Sequence, residues 1–194
     1  MAERASTHDT AAGGNVPESL ILDQVSALNS NFSETGLGFT LAEVIHTMTM
    51  KQSLHQGVVA ALNVYIVGFN SAANQGLLGY ATFPSSYSSN PGDDGVVMRF
   101  MTLPEGSQTS YNGGQVLTHE IGHWGRTRSG DMVADTPAEA EPASGCPEGR
   151  DTCSSPRIDP IHNYMNYAYN SCMEEFTPDQ TTPLKDQVAT YRGL

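Results

Sequence analysis

The stretch Thr118-His119-Glu120-Ile121-Gly122-His123-Trp124 constrains this chain more than any other. It contains the pattern H-E-x-x-H. In an α-helix, residues four apart lie on one face, one turn from each other. His119 and His123 would then aim two imidazoles at a common point, where one Zn²⁺ takes both nitrogens as ligands. Glu120 stands beside them, placed to act as general base on a water that the metal activates. The plainer alternative is a pair of surface histidines flanking a solvated glutamate. The helix is predicted to run from about Asn112 to Trp124.

A longer form of the motif adds Gly and then a third His, six residues past the second. Here the continuation is Gly125-Arg126-Thr127-Arg128-Ser129-Gly130-Asp131, and no His follows until His162. A catalytic zinc normally takes three protein ligands and a water. Asp131, a carboxylate eight residues past His123, is a substitute ligand if the loop reshapes. Glu139 and Glu141 would suit sites that draw the third ligand from a later helical Glu. Pro137 and Pro142 beside them argue against a helix there.

A chain of 194 residues with 38% hydrophobic residues is read as one domain over residues 16–194, preceded by a disordered lead-in over 1–15. The formal net charge of −12 excludes nucleic acid and anionic membranes as partners. No apolar run approaches the length of a transmembrane helix. Residues 1–15 hold no hydrophobic stretch, so no signal peptide is read there. The three cysteines, Cys146, Cys153 and Cys172, sit in Gly/Pro/Ser/Asp-rich surroundings without a C-x-x-C pair. That excludes a structural zinc cluster and leaves two readings, disulfide partners of a secreted protein or free buried thiols. Asn31-Phe32-Ser33 is a glycosylation triplet of the kind that also arises by chance.

Along the chain, Leu20, Ile21, Val25, Leu28 and Phe32 predict an amphipathic helix entered through Pro17 and ended at Gly36. A strand is expected from Phe39 to Met50, then a short helix over residues 52–61 weakened by Gly57. The apolar run in Asn63 to Phe69 reads as a buried strand, followed by strands at Leu77 to Phe83 and Val96 to Met101. Residues 125–160 read as loop. Thr177-Pro178-Asp179-Gln180 predicts the N-cap of a C-terminal helix reaching Tyr191, with Pro183 in its first turn. This order gives an α/β or α+β domain with the motif helix under a sheet. A peptide would bind by adding a strand to the sheet edge.

Several segments in one order resemble the fungal extracellular metalloproteases of the pappalysin group of metzincins. They are Leu62-Asn63-Val64-Tyr65, Gly76 to Pro84, Asp93 to Val97, His119 to Trp124, Asp135-Thr136-Pro137-Ala138-Glu139-Ala140, Cys146 to Cys153 and Asp159 to Tyr167. The resemblance implies a secreted zinc metalloendopeptidase with a metzincin-like fold, a mixed twisted sheet with an active-site helix and a C-terminal helix. It acts on protein or peptide substrates as a monomer. His119 and His123 would be zinc ligands and Glu120 the base. Met165 would be the methionine of a tight turn beneath the metal, where Asn166 replaces the family's Asp. Tyr167 would stabilise the oxyanion. Leu77 to Phe83 would be the edge that meets substrate. Cys146 and Cys172 match a bridged pair, and Cys153 matches a cysteine whose partner follows the third ligand. The resemblance also gives His162 a place in relatives that keep that ligand, so His162 needs no metal role.

The chain departs from that pattern where the third His and the partner cysteine belong. It is also short around residues 47–50 and lacks a leader and pro-region. Two function classes follow. One is an active endopeptidase. The other is a catalytically impaired or inactive remnant, or the product of a truncated gene model, without the third ligand.

Overall fold

The computed structural model describes residues 2–5, 16–42, 44–47, 51–69, 74, 76–125, 133–154 and 157–194; for 2–5, 44–47, 52 and 53 the description is of the backbone. Five strands form one mixed sheet: β1 (Ala2–Ala5), β2 (Val44–Thr47), β3 (Val64–Val67), β4 (Gly79–Ala81) and β5 (Val96–Arg99). Their spatial order is β2-β1-β3-β5-β4. All neighbours are parallel except β4, which runs antiparallel to β5 with Tyr80 opposite Val97. Strand β4 is therefore an edge of the sheet and follows the motif helix's neighbour β5 in space, not in sequence.

The apolar run of β3 buries all four of its residues because it lies inside the sheet with both faces covered. Alternation sends Val64 and Ile66 to one face, with Val96 and Met98 of β5. That face packs on the helices α1 (Glu18–Asn31), α3 (Gln115–Trp124) and α4 (Pro178–Arg192) through Ile21, Leu28, Leu117, Ile121, Leu184 and Val188. Tyr65, Val67 and Val97 point the other way, towards Leu54 of the short helix α2 (Lys51–Leu54). The α/β class, with a motif helix and a C-terminal helix against a mixed sheet, agrees with expectation.

Several elements differ from the sequence reading. Residues 2–5, expected within a disordered lead-in, form β1 between two strands; ladder hydrogen bonds to both neighbours order a stretch with no apolar period. The rest of that lead-in lies outside the described residues. Of the strand expected from Phe39 to Met50, the described residues 39–42 are not strand and Val44–Thr47 form β2; residues 43 and 48–50 lie outside the described residues. The Phe39 backbone is held instead by Asn29, whose amide accepts from Phe39 N at 2.8 Å and donates to Phe39 O at 2.9 Å. The helix expected over 52–61 stops at Leu54, ahead of Gly57 at φ 78°. Helix α3 starts at Gln115 rather than Asn112, because Gly114 in the left-handed region sets its N-cap.

Helix α4 carries the expected cap. Thr177 and Gln180 exchange side-chain to backbone hydrogen bonds in a capping box, with Pro178 as first helical residue. Pro183 lies inside the helix, beyond the first turn where it was expected. The end of α4 is locked to the end of α3. Buried Arg192 forms a two-pronged pair with Asp94 at 2.7 and 3.1 Å and stacks on the Trp124 ring at 3.9 Å. Trp124 Nε1 in turn donates to Asp94 at 3.1 Å.

Candidate active site

Helix α3 places His119 and His123 on one face, as four-residue spacing requires. Their Nε2 atoms face each other at 3.1 Å. Two nitrogens each 2.0–2.1 Å from one tetrahedral zinc lie about 3.3 Å apart, so the pair fits two corners of such a site. The Nδ1 of His119 lies 2.9 Å from the Tyr164 carbonyl oxygen. A carbonyl only accepts, so Nδ1 carries the proton and Nε2 presents its lone pair. That is how a metal-binding imidazole is usually oriented from behind. Phe83, just past β4, meets the His123 ring edge-on with centroids 6.1 Å apart.

Glu120 is 7% exposed. Strand β4 closes over it at Gly79, where an added Cβ would lie 2.9 Å from the carboxylate oxygen. Burial pushes its pKa from 4.5 up to about 8. The glutamate is thus a deeply desolvated acid beside two imidazoles, unlike the solvated helix carboxylate of the plainer reading.

Beneath the histidines lies the tight turn Asn163 to Asn166, closed by Asn166 N donating to Asn163 O at 3.0 Å. Met165 sits directly under Gly122; a Cβ on Gly122 would overlap the Met165 sulfur. A reciprocal amide pair between Asn163 and Gln180, at 2.8 and 3.2 Å, ties this turn to the cap of α4. Asn166 Nδ2 donates to Glu139 at 2.9 Å, and Glu139 also pairs with Arg150. Tyr167 follows the turn, 55% exposed, with its ring centroid 5.3 Å from that of His119.

Other candidates lie away from the pair. His162 Nδ1 donates to the Cys172 carbonyl at 2.8 Å. Glu139 is committed to Arg150 and Asn166, Glu141 is exposed, and described residues 133–154 contain no helix. Asp131 lies outside the described residues. Among the described residues no cluster of three or more His, Cys, Asp or Glu side chains could hold a metal. Cys146 and Cys172 are joined by a disulfide with Cα atoms 5.9 Å apart, while Cys153 is a free thiol.

Sequence reasoning missed three participants. Gly79 could not be singled out, since its contact with Glu120 spans two elements. The Tyr164 carbonyl carries no side-chain signal. Asn31, noted only for its glycosylation triplet, donates from Nδ2 to Thr118 Oγ1 at 2.9 Å and accepts from the Tyr164 hydroxyl at 3.1 Å. A cavity of about 350 Å³ opens beside Glu120, between the Leu77–Gly79 stretch, Val116, Ala143, Tyr167 and Met173.

Residues 58–189 match the peptidase family described as pregnancy-associated plasma protein-A. An extracellular metalloprotease of Colletotrichum graminicola is 39% identical over 214 residues, covering 97% of this chain and 74% of that protein. One from Sordaria macrospora is 42% identical over 206 residues, covering 94% and 71%. Among solved structures, mirolysin in complex with compound 9 matches with a TM-score of 0.77 at 22% identity, covering 98% of this chain and 90% of that one. Tannerella forsythia mature mirolysin in complex with a cleaved peptide matches with a TM-score of 0.75 at 24% identity, covering 95% and 88%. Among the described residues no helix is long and apolar enough to cross a membrane.

Proposed function

The chain belongs to the pregnancy-associated plasma protein-A family of metallopeptidases, and from that premise we propose that it hydrolyses peptide bonds of protein substrates at a zinc site held by His119 and His123. One observation carries this reading. Two imidazole nitrogens face each other at 3.1 Å beside a buried carboxylate and below an exposed sheet edge.

Zinc, when bound, supplies Lewis-acid polarisation of the scissile carbonyl and of the attacking water. Glu120 takes the proton from that water and returns it to the leaving amine. Without a cation, burial pushes its pKa up to about 8 and favours the neutral carboxyl. A neighbouring positive charge restores the ionised base. The Tyr167 hydroxyl, on a ring beside His119, donates to the developing oxyanion. The peptide lies along the outer edge of β4 and pairs with the backbone of that strand. One of its apolar side chains enters the 350 Å³ cavity next to Glu120. The extracellular relatives and the Cys146–Cys172 disulfide support secretion.

A second reading rests on the ligand count. No His lies between His123 and His162. Two protein ligands hold zinc far more weakly than three, so the chain would be an impaired or inactive remnant. The experiment that separates the readings is zinc content after dialysis against trace zinc, together with hydrolysis of denatured casein or gelatin. About one zinc per chain with chelator-sensitive turnover establishes the peptidase, and Asp131→Asn then asks whether that residue completes the site. No retained zinc and no turnover establishes the remnant.

A further inference from the structure

We propose that Asn31 is a positioning residue for His119 rather than a glycan acceptor. The proposal rests on the reading of His119 as a zinc ligand. Asn31 is the last residue of α1, far in sequence from both of its partners. Its amide is held from both sides. Nδ2 donates to Thr118 Oγ1 at 2.9 Å, and Oδ1 accepts from the Tyr164 hydroxyl at 3.1 Å. Thr118 is fully buried and immediately precedes His119 on α3; Tyr164 is 5% exposed. Tyr164 is also the residue whose carbonyl receives the Nδ1–H of His119, at 2.9 Å.

One amide therefore joins the two elements that decide where the His119 ring sits. It fixes the helix turn that carries the ring and the segment whose carbonyl orients it. Only a group with a donor and an acceptor at fixed separation does both, and the Asn side chain supplies that pair. The phenol ring of Tyr164 lies against Phe176 with centroids 5.1 Å apart, which keeps the hydroxyl from turning to another partner. A glycan on Nδ2 would have to leave between α1 and the buried Thr118. The Asn31 amide of the Asn-Phe-Ser triplet is thus engaged within the fold.

The test uses the full chain as wild type, Asn31→Ala, Tyr164→Phe and the double variant. Zinc affinity is read by competition with a chromogenic chelator. The hydrogen-bonded Nδ1–H of His119 is read by ¹H–¹⁵N correlation in the metal-free protein. We expect each single variant to bind zinc about 10-fold more weakly, within the range for groups that orient a ligand from behind. The double variant should be no worse than the weaker single, because both remove one linkage. The Nδ1–H signal should be lost or broadened in all three. Unchanged zinc affinity with an intact Nδ1–H signal, even at lowered melting temperature, overturns the proposal, as does a glycan on Asn31 in protein secreted from a eukaryotic host. If wild type binds no zinc while the Nδ1–H signal still depends on Asn31, the positioning role stands and the zinc reading falls. Should Asn31→Ala fail to fold, Tyr164→Phe, which keeps the carbonyl, decides alone.

Discussion

Gly79 on the edge strand and Glu120 on the motif helix meet so closely that an added Cβ would lie 2.9 Å from one carboxylate oxygen and 3.1 Å from Cδ. The strand at the edge of the sheet is the same strand that packs on the Glu120 carboxylate.

Replacing Gly79 by Ala is therefore expected to push Glu120 aside without unfolding the sheet. A displacement of about 1 Å at a catalytic group costs on the order of 100-fold in rate. The kcat of zinc-loaded Gly79→Ala on a fluorogenic peptide should fall at least 10-fold, with zinc content unchanged. An unaltered kcat would show that β4 does not position Glu120.

The raised pKa of Glu120 has a stability consequence in the metal-free protein. The folded state, with a pKa of about 8, holds the proton more tightly than the unfolded chain, with its ordinary 4.5. Stability from this group is full below about pH 4.5 and is lost as pH rises towards about 8. The loss is on the order of a few kcal/mol at most. Urea denaturation across that window should show a falling wild-type stability and a flatter profile for Glu120→Gln. Parallel profiles would mean that the carboxyl is not desolvated.

Asp94, Arg192 and Trp124 lock the end of the motif helix to the end of the chain. Arg192 is completely buried and pairs with Asp94 at 2.7 Å. Arg192→Met leaves a buried charge uncompensated and should cost about 3–5 kcal/mol. Asp94→Asn combined with Arg192→Met should recover part of that loss, since neither charge then remains alone. Thermal unfolding of the single and double variants checks this; strictly additive losses would deny the coupling.

The Cys146–Cys172 disulfide closes a 26-residue separation. The chain-entropy estimate for such a loop is about 3–4 kcal/mol. The double variant Cys146→Ser, Cys172→Ser should lose roughly that amount in chemical denaturation while Cys153→Ser changes little. Beside the bridge, the Gly145 carbonyl accepts from Tyr169 N and the Cys172 carbonyl accepts from His162. Loss of the bridge should therefore raise the protease sensitivity of that region first.

How much of this was legible beforehand follows from the range of each interaction. The placement of His119 and His123 on one helical face, the buried run of β3 and the Thr177–Gln180 cap all come from spacings of a few residues. Helical and strand periodicity, with the reach of one side chain to a nearby amide, fix them wherever the chain goes. The helix end at Trp124 also agrees with the sequence expectation.

The remainder needed the tertiary structure. Strand β1 carries no period of its own and exists because two parallel neighbours complete its hydrogen bonds. The carboxyl of Glu120 becomes an abnormal acid through burial, to which a strand some forty residues earlier in the sequence contributes at Gly79. Asn31 reaches Tyr164 across 133 residues, and Arg192 reaches Asp94 across 98. The sequence by itself determined that His119 and His123 stand on one helical face beside Glu120. The order of strands in the sheet decided what buries, orients and locks them, because those pairings join parts of the chain that no local periodicity connects.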